Sequence, residues 1–131
     1  APAADLPTTS ATAVSVQASV TWLDDGTANG AWIVNPDKIT VSARIELLVY
    51  TMSDKSTPGV RFLSSTPLVW ISPPQPDNFD AQVSEDGRQL FIADRNQTTG
   101  LPEAFSFRLL AVYDDITRIS PDPMIINLDP S

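Results

Sequence analysis

Carboxylate side chains are the most frequent chemically active groups in this sequence. They cluster in segments that are predicted to be turns, namely Asp24-Asp25, Asp77 with Asp80, Glu85-Asp86, Asp94 and Asp114-Asp115. Carboxylate oxygens are the ligands that Ca²⁺ prefers, so loops meeting at one end of a fold could bind this ion, with Asp24, Asp25 and Asp94 as candidate ligands. Asp is equally common in turns without a metal, because its side chain bonds the nearby backbone. No segment has the spacing of an EF-hand loop, and the prediction is that no metal or other cofactor is bound.

A pair of carboxylates could in principle hydrolyse a glycosidic bond, but an acidic chain contains many pairs and the sequence shows no separations. The chain contains no His and no Cys. This composition excludes Ser–His–Asp catalysis, thiol nucleophiles and the usual zinc sites. We therefore predict a protein that is not an enzyme.

Aromatic side chains are the other candidates for a binding site. Trp32, Tyr50 and Trp70 lie in short or mixed segments, where a ring could remain exposed and stack against a sugar. The alternative is that the three rings pack in the core, since Trp is largely buried on average. A carbohydrate-binding module, with or without Ca²⁺, is thus one interpretation, and the ligand stays unknown.

The net charge is −8, with eight basic and sixteen acidic residues. Nucleic-acid binding relies on Lys and Arg at phosphates, and docking on anionic membranes has the same requirement. No apolar run approaches the roughly 20 residues that span a bilayer. We expect neither nucleic acid nor membrane as a partner. A cytoplasmic protein is favoured, and a secretion signal that has been cleaved off is left open.

Strand-like alternation organises the chain around these groups. In Ala104–Tyr113 the residues Phe105, Phe107, Leu109, Ala111 and Tyr113 fall on one side, as in a strand that covers a core. Val14–Leu23 alternates in the same way, and Ile39–Thr51 predicts one long strand with a bend near Ser42–Ala43. The chain has twelve prolines and no amphipathic helical segment. These features predict an all-β fold, an immunoglobulin-like antiparallel β-sandwich of roughly seven to nine strands.

One domain is expected over residues 14–131, preceded by a flexible N-terminal arm at residues 1–13, which is small, polar and contains Pro. Strands at the edges of such a sandwich carry unpaired main-chain groups. They offer a route to a homodimer.

Three segments in the C-terminal third, LFIADRN, FSFRLLAVY and ISPDPMIIN, resemble the DP-EP family, a small bacterial group related to the PixA/AidA-like inclusion-body proteins. The segment Asn35-Pro36-Asp37 is also similar. The resemblance implies a compact β-sandwich from a bacterium without established catalytic residues. In the last segment we expect a structural motif of Asp122, Pro123 and Asn127. Pro123 would fix φ at the start of the final strand, and Asp122 would accept hydrogen bonds from nearby N–H groups.

These observations favour a non-enzymatic bacterial β-sandwich that works through its surface, as a binding or self-assembling module. The alternative is the carbohydrate-binding module described above.

Overall fold

The computed structural model describes residues 14–130, so the predicted arm at residues 1–13 lies outside the described residues. All regular structure in this part of the chain is β, and none of it forms a helix that could cross a membrane. The strands are β1 Val14–Leu23, β2 Ala31–Asn35, β3 Lys38–Val41, β4 Ile45–Met52, β5 Arg61–Phe62, β6 Leu68–Ser72, β7 Phe79–Val83, β8 Gln89–Arg95, β9 Glu103–Tyr113, β10 Ile116–Ile119 and β11 Met124–Asn127.

The strands form two sheets. Sheet 1 has the order β2-β1-β4-β8-β7, and sheet 2 has the order β10-β9-β11-β3, with β5 and β6 paired to β9. The all-β prediction is confirmed, and a β-sandwich fits the two sheets. Two findings differ from the sequence prediction. The strands number eleven in residues 14–130, and both sheets are mixed, because β1 pairs with β4 and β3 pairs with β11 in parallel.

The predicted long strand at 39–51 is the source of the parallel pairings and of one additional strand. The chain leaves the strand conformation after Val41 and resumes it at Ile45, so the expected bend is a full interruption. β3 then belongs to sheet 2 and β4 to sheet 1, because the chain changes sheet at the interruption. In β4 the residues that join the main core are Leu48, Tyr50 and Met52, the opposite set from the one that simple alternation across the whole segment suggests.

The core lies between the sheets, and β9 supplies its centre as predicted. Phe105, Phe107, Leu109 and Ala111 are all buried. The two sheets meet through aromatic rings, with Trp70 of β6 stacked 4.4 Å from Phe79 of β7. Burying side chains of this size stabilises a fold by about 1.5–3 kcal/mol each, which is why these strands can hold the loops in place.

Candidate functional site

A groove runs along the edge of sheet 1, between β2 and the segment that joins β10 to β11. It has a volume of about 290 Å³. We call it the Trp32 groove and define it by its lining residues Trp32, Ile33, Val34, Asp37, Pro121, Asp122 and Pro123. One of the three aromatic candidates and two of the three motif residues from the sequence therefore line a single cavity.

The β2 wall of the groove follows from strand alternation. Trp32 and Val34 point toward the space between the sheets and pack partly against the core, whereas Ile33 points outward and is 56% exposed. Because β2 is the edge strand of sheet 1, the inward side chains of β2 are covered on one side only. Trp32 is consequently half-buried, with part of its ring facing the groove.

The Asn29 carbonyl holds the Trp32 ring in place. It accepts hydrogen bonds from two indole N–H groups, that of Trp22 at 2.8 Å and that of Trp32 at 2.9 Å. The Asn29 side chain accepts a third hydrogen bond, from the N–H of Ile119 at 3.2 Å, which ties this loop to β10. The Trp32 ring is thus fixed by contacts that reach both sheets.

Arg118 of β10 makes the same connection from sheet 2. It is buried, and its guanidinium donates to the Ala28 carbonyl at 2.8 Å and the Tyr113 carbonyl at 3.2 Å. Its Cζ lies 5.4 Å from the ring centre of Trp22 and 5.7 Å from that of Tyr113. A buried cation next to two aromatic faces gains electrostatic stabilisation that offsets part of its desolvation.

The opposite wall contains Asp122 and Pro123, two of the three residues of the predicted motif. The Asp122 carboxylate pairs with Arg108, with 2.8 Å between Oδ1 and Nε. Both side chains are about half exposed, so the pair contributes little to stability and remains accessible to a ligand. Pro123 immediately precedes β11, and its carbonyl accepts from the N–H of Phe107 at 3.2 Å. The structure therefore gives Asp122 a guanidinium partner where the sequence suggested backbone N–H groups.

A second depression of about 290 Å³ adjoins the groove and shares Trp32 and Pro121 with it. Its other lining residues are Asn29, Gly30, Arg108, Ile119 and Ser120. The Arg108–Asp122 ion pair lies where the two depressions meet, since each lines one of them. The combined surface presents an indole, a guanidinium and two carboxylates, which can bind a ligand through stacking and hydrogen bonds.

The other two aromatic candidates lie elsewhere. Tyr50 is fully buried against Phe107, and burial raises the pKa of its phenol. Trp70 is half-buried and packs on Phe79 and Phe107. Phe79 lies on β7, the opposite edge of sheet 1 from β2, so the Trp70 ring packs away from the Trp32 groove. The structure does not bring the three rings together.

The three candidate metal ligands are also separated. Asp94 pairs with Glu46 of β4, and Glu46 is level with Val14 at the start of β1. Asp24 and Asp25 follow the other end of this ten-residue strand. The separation is about 30 Å. Asp24 and Asp25 accept hydrogen bonds within their own turn, and the bonds from Thr27 lower the pKa of Asp25. Within residues 14–130, no three acidic groups are close enough to hold a metal ion.

Asp94 instead joins the two sheets at the end of the sandwich that carries β11. It is fully buried, and its Oδ1 accepts from Asn127 at 3.0 Å and from Asn78 at 3.4 Å. The remaining oxygens, Oδ2 of Asp94 and Oδ1 of Asn127, are buried without a hydrogen-bond partner among the described residues. Asn127, the third residue of the predicted motif, thus contributes to this internal contact and not to the groove.

Burial raises the pKa of Asp94 to about 6, and the nearby Glu46 carboxylate acts in the same direction. The hydrogen bonds from Asn127 and Asn78 oppose the shift, as does Arg95. Burial also raises the pKa of Glu46. A protonated Asp94 has a donor that an ionised one lacks, so the neutral form suits a site with two unpartnered acceptors.

Replacement of Asp94 by Asn is expected to stabilise the protein selectively above pH 6. The pKa of Asp94 is 3.8 in the unfolded chain and about 6 in the folded protein, so protonation of Asp94 favours the folded state. This contribution to stability is fully present below pH 3.8 and is lost as the pH rises through about 6. The free energy of unfolding of D94N relative to wild type should therefore increase between pH 4 and pH 7, by on the order of 2 kcal/mol. Urea unfolding at the two pH values measures this difference.

The matched control is Asp86→Asn. Hydrogen bonds from Ser84 and from the N–H of Arg88 lower the pKa of Asp86, so its contribution is present at pH 7 and declines as the pH falls through its folded pKa. D86N should therefore lose stability relative to wild type at pH 7, the opposite sign from D94N. A parallel response of the two variants would contradict the assignment of the pH dependence to Asp94.

Substitution of Gly30 tests the packing of the loop whose Asn29 carbonyl holds both indole rings. The φ of Gly30 is +73°, and a Cβ at this position would lie 2.4 Å from the Trp22 indole. We expect Gly30→Ala to lower the free energy of unfolding by about 3 kcal/mol, since both the backbone and the rings must move. Gly26→Ala is the control, because Gly26 has φ +86° with open space around it. Its cost should be only about 1 kcal/mol. Equal losses in the two variants would show that the indole contact is unimportant.

The contacts of Asn29, Gly30 and Arg118 that support the groove were not predicted from the sequence. Asn-Gly dipeptides such as Asn29-Gly30 are typical of turns, but the dipeptide does not show which rings surround the turn. Arg118 lies in a short segment of mixed polarity, and its burial depends on two aromatic residues that are far away in sequence. Alternation in this segment does place Arg118 on the opposite face from Thr117 and Ile119. In the structure that face is the inward side of β10, which pairs with β9.

Comparison with known proteins agrees with the segments noted in the sequence. No curated protein matches the chain. The model of the DP-EP family matches residues 9–129, which include all eleven strands of the two sheets and both walls of the Trp32 groove. Because the match covers most of its length, the chain belongs to the DP-EP family.

Proposed function

We propose that this protein is a non-enzymatic binding module that holds its ligand in the Trp32 groove. The observation that carries the proposal is the half-buried Trp32 ring, which is fixed by a hydrogen bond to Asn29 and faces a cavity with polar groups on its opposite wall. Ligand sites are typically concave, with apolar walls and a few well-placed polar groups. The groove has this combination.

The polar groups of the groove support binding in preference to catalysis. Asp122 is paired with Arg108, so it is not the isolated carboxyl group that commonly serves as a general acid. The chain has no His or Cys to act as a nucleophile or base. The ion pair is well suited to recognition, because its exposed atoms can exchange solvent for the polar groups of a ligand.

A carbohydrate is the second candidate ligand. Trp32 lies beside Asp122 and Arg108, and side chains of these types bind sugar hydroxyls while an indole packs against the ring. This interpretation uses one exposed aromatic ring instead of the three that the sequence suggested. It requires no metal.

Self-assembly is the other form of the proposal, in which the ligand is a second copy of the chain bound through an edge strand. A bacterial origin and a relationship to the PixA/AidA-like inclusion-body proteins are part of this proposal. They are supported by the resemblance of the C-terminal segments.

Binding can be tested with two libraries, a glycan array and a phage-displayed random dodecapeptide library, each screened with wild type and Trp32→Ala. We expect hits from at least one library, with affinity for W32A reduced at least tenfold because truncation removes the aromatic anchor. Fluorescence anisotropy on individual hits measures the affinities, and urea unfolding verifies that W32A is folded.

Leu101→Ala is the matched control, since Leu101 is 84% exposed and does not line the groove. It should bind each hit as wild type does. Empty screens, or hits that W32A retains at full affinity, would remove the support for a binding function at this site.

A further inference from the structure

The free edge of β2 carries main-chain groups that point into the Trp32 groove. Trp22, which is level with Trp32, donates its N–H to Ser56 and accepts from Thr57, and both residues follow β4. Val20, level with Val34, likewise accepts from Ser53. The main-chain N–H and C=O groups of Trp22 and the C=O group of Val20 therefore point away from β2.

In an antiparallel pair, hydrogen-bonded and non-hydrogen-bonded positions alternate. Trp32 and Val34 hence occupy non-hydrogen-bonded positions, and their N–H and C=O groups face away from β1, toward the open edge. Among residues 14–130, β2 pairs with β1 alone. Four main-chain groups, two donors and two acceptors, are available along the groove.

We infer that the Trp32 groove takes an extended peptide of a partner protein, which adds to β2 as a further strand and places a Lys or Arg next to Asp37. This inference rests on the proposed function and names its ligand class. Unpaired edges are templates for such strand addition, in which the main chain supplies affinity and alternate side chains supply specificity.

The wall opposite β2 favours one added strand over a continuous sheet. Pro121 and Pro123 have no N–H, and the Pro123 carbonyl already accepts from Phe107. A peptide in the groove can therefore pair with β2 on one side and contact proline rings on the other. Its alternate side chains would meet Trp32 and Val34 on the inner face and Ile33 on the outer face.

Charge distinguishes the peptide from other occupants. The ion pairs of the described residues are Arg95–Asp80 and Arg108–Asp122, which leave Asp37 without a cationic partner in this part of the chain. The whole chain carries −8, so a basic peptide is attracted. A second copy would bring the same net negative charge to this edge. A sugar has no alternating main-chain groups to match those of β2.

The test uses capped hexapeptides that alternate Val or Ile with Lys or Thr, titrated against the full chain by fluorescence anisotropy. A matched set carries Glu in place of Lys. We expect binding of the Lys set that weakens at 0.5 M NaCl, and at least tenfold weaker binding of the Glu set.

N-methylation of one peptide amide at a time separates strand addition from recognition by side chains alone. Methylation at the alternate amides that face β2 should reduce affinity roughly tenfold, and methylation at the others should change it less than twofold. This readout needs no change in the protein, so it does not depend on any variant folding.

Two variants locate the peptide. Val34→Pro removes the N–H that points to the free edge and leaves the β1–β2 ladder intact, so binding should fall roughly tenfold while β1 and β2 remain paired. Asp37→Asn should weaken binding of the Lys set about threefold. Asp77→Asn is its control, because it removes the same charge beside β7, on the opposite edge of sheet 1.

Uniform effects of N-methylation, or equal affinity for the Lys and Glu sets, would overturn the inference. A dimer in sedimentation that V34P dissociates would assign the edge to a second copy and overturn it too. If only glycans bind, and binding requires Trp32, the inference fails while the proposed binding function stands.

Discussion

The buried Arg118 guanidinium is the contact on which the Trp32 groove depends. Arg118 lies in sheet 2, but its hydrogen bond to Ala28 and its packing on Trp22 hold a loop of sheet 1. A buried charge is tolerated only where partners surround it. Carbonyl oxygens and aromatic faces serve as those partners here. Loss of the guanidinium would free the loop that positions the Asn29 carbonyl, and with it the Trp32 ring.

The opposite end of the sandwich is joined by a different interaction. Asp94 and Asn127 meet between the sheets through one hydrogen bond, and each retains a buried oxygen without a partner among the described residues. These two unpartnered oxygens destabilise the fold when Asp94 is ionised, and they cost little when Asp94 is protonated and can donate a hydrogen bond. One end of the molecule is therefore held by a permanent cation and the other by a group whose charge changes near pH 6.

Alternation in the sequence predicted the strands well and the site only in part. β1 and β9 follow a strict two-residue period, since each has one face on the core, and both were predicted nearly to their ends. The segment at 39–51 misled because both faces of β4 are apolar: Leu47 and Val49 form a small cluster on the outside of sheet 1. Trp32 was identified, but its partners Asp37 and Pro121 lie more than eighty residues apart. Only the pairing of β3 with β11 brings them together.

That parallel pairing also explains why the groove lies next to an open strand edge. After β2 the chain leaves sheet 1, and β3 joins sheet 2 beside β11. The chain therefore does not continue along the free side of β2. The N–H of Met124 donates to the Asp37 carbonyl at 2.8 Å, which fixes Pro121–Pro123 opposite β2 at the width of the groove. A wall that carries two prolines cannot close the gap by pairing as a strand. The crossing from sheet 1 to sheet 2 thus creates the cavity, and the prolines keep it open.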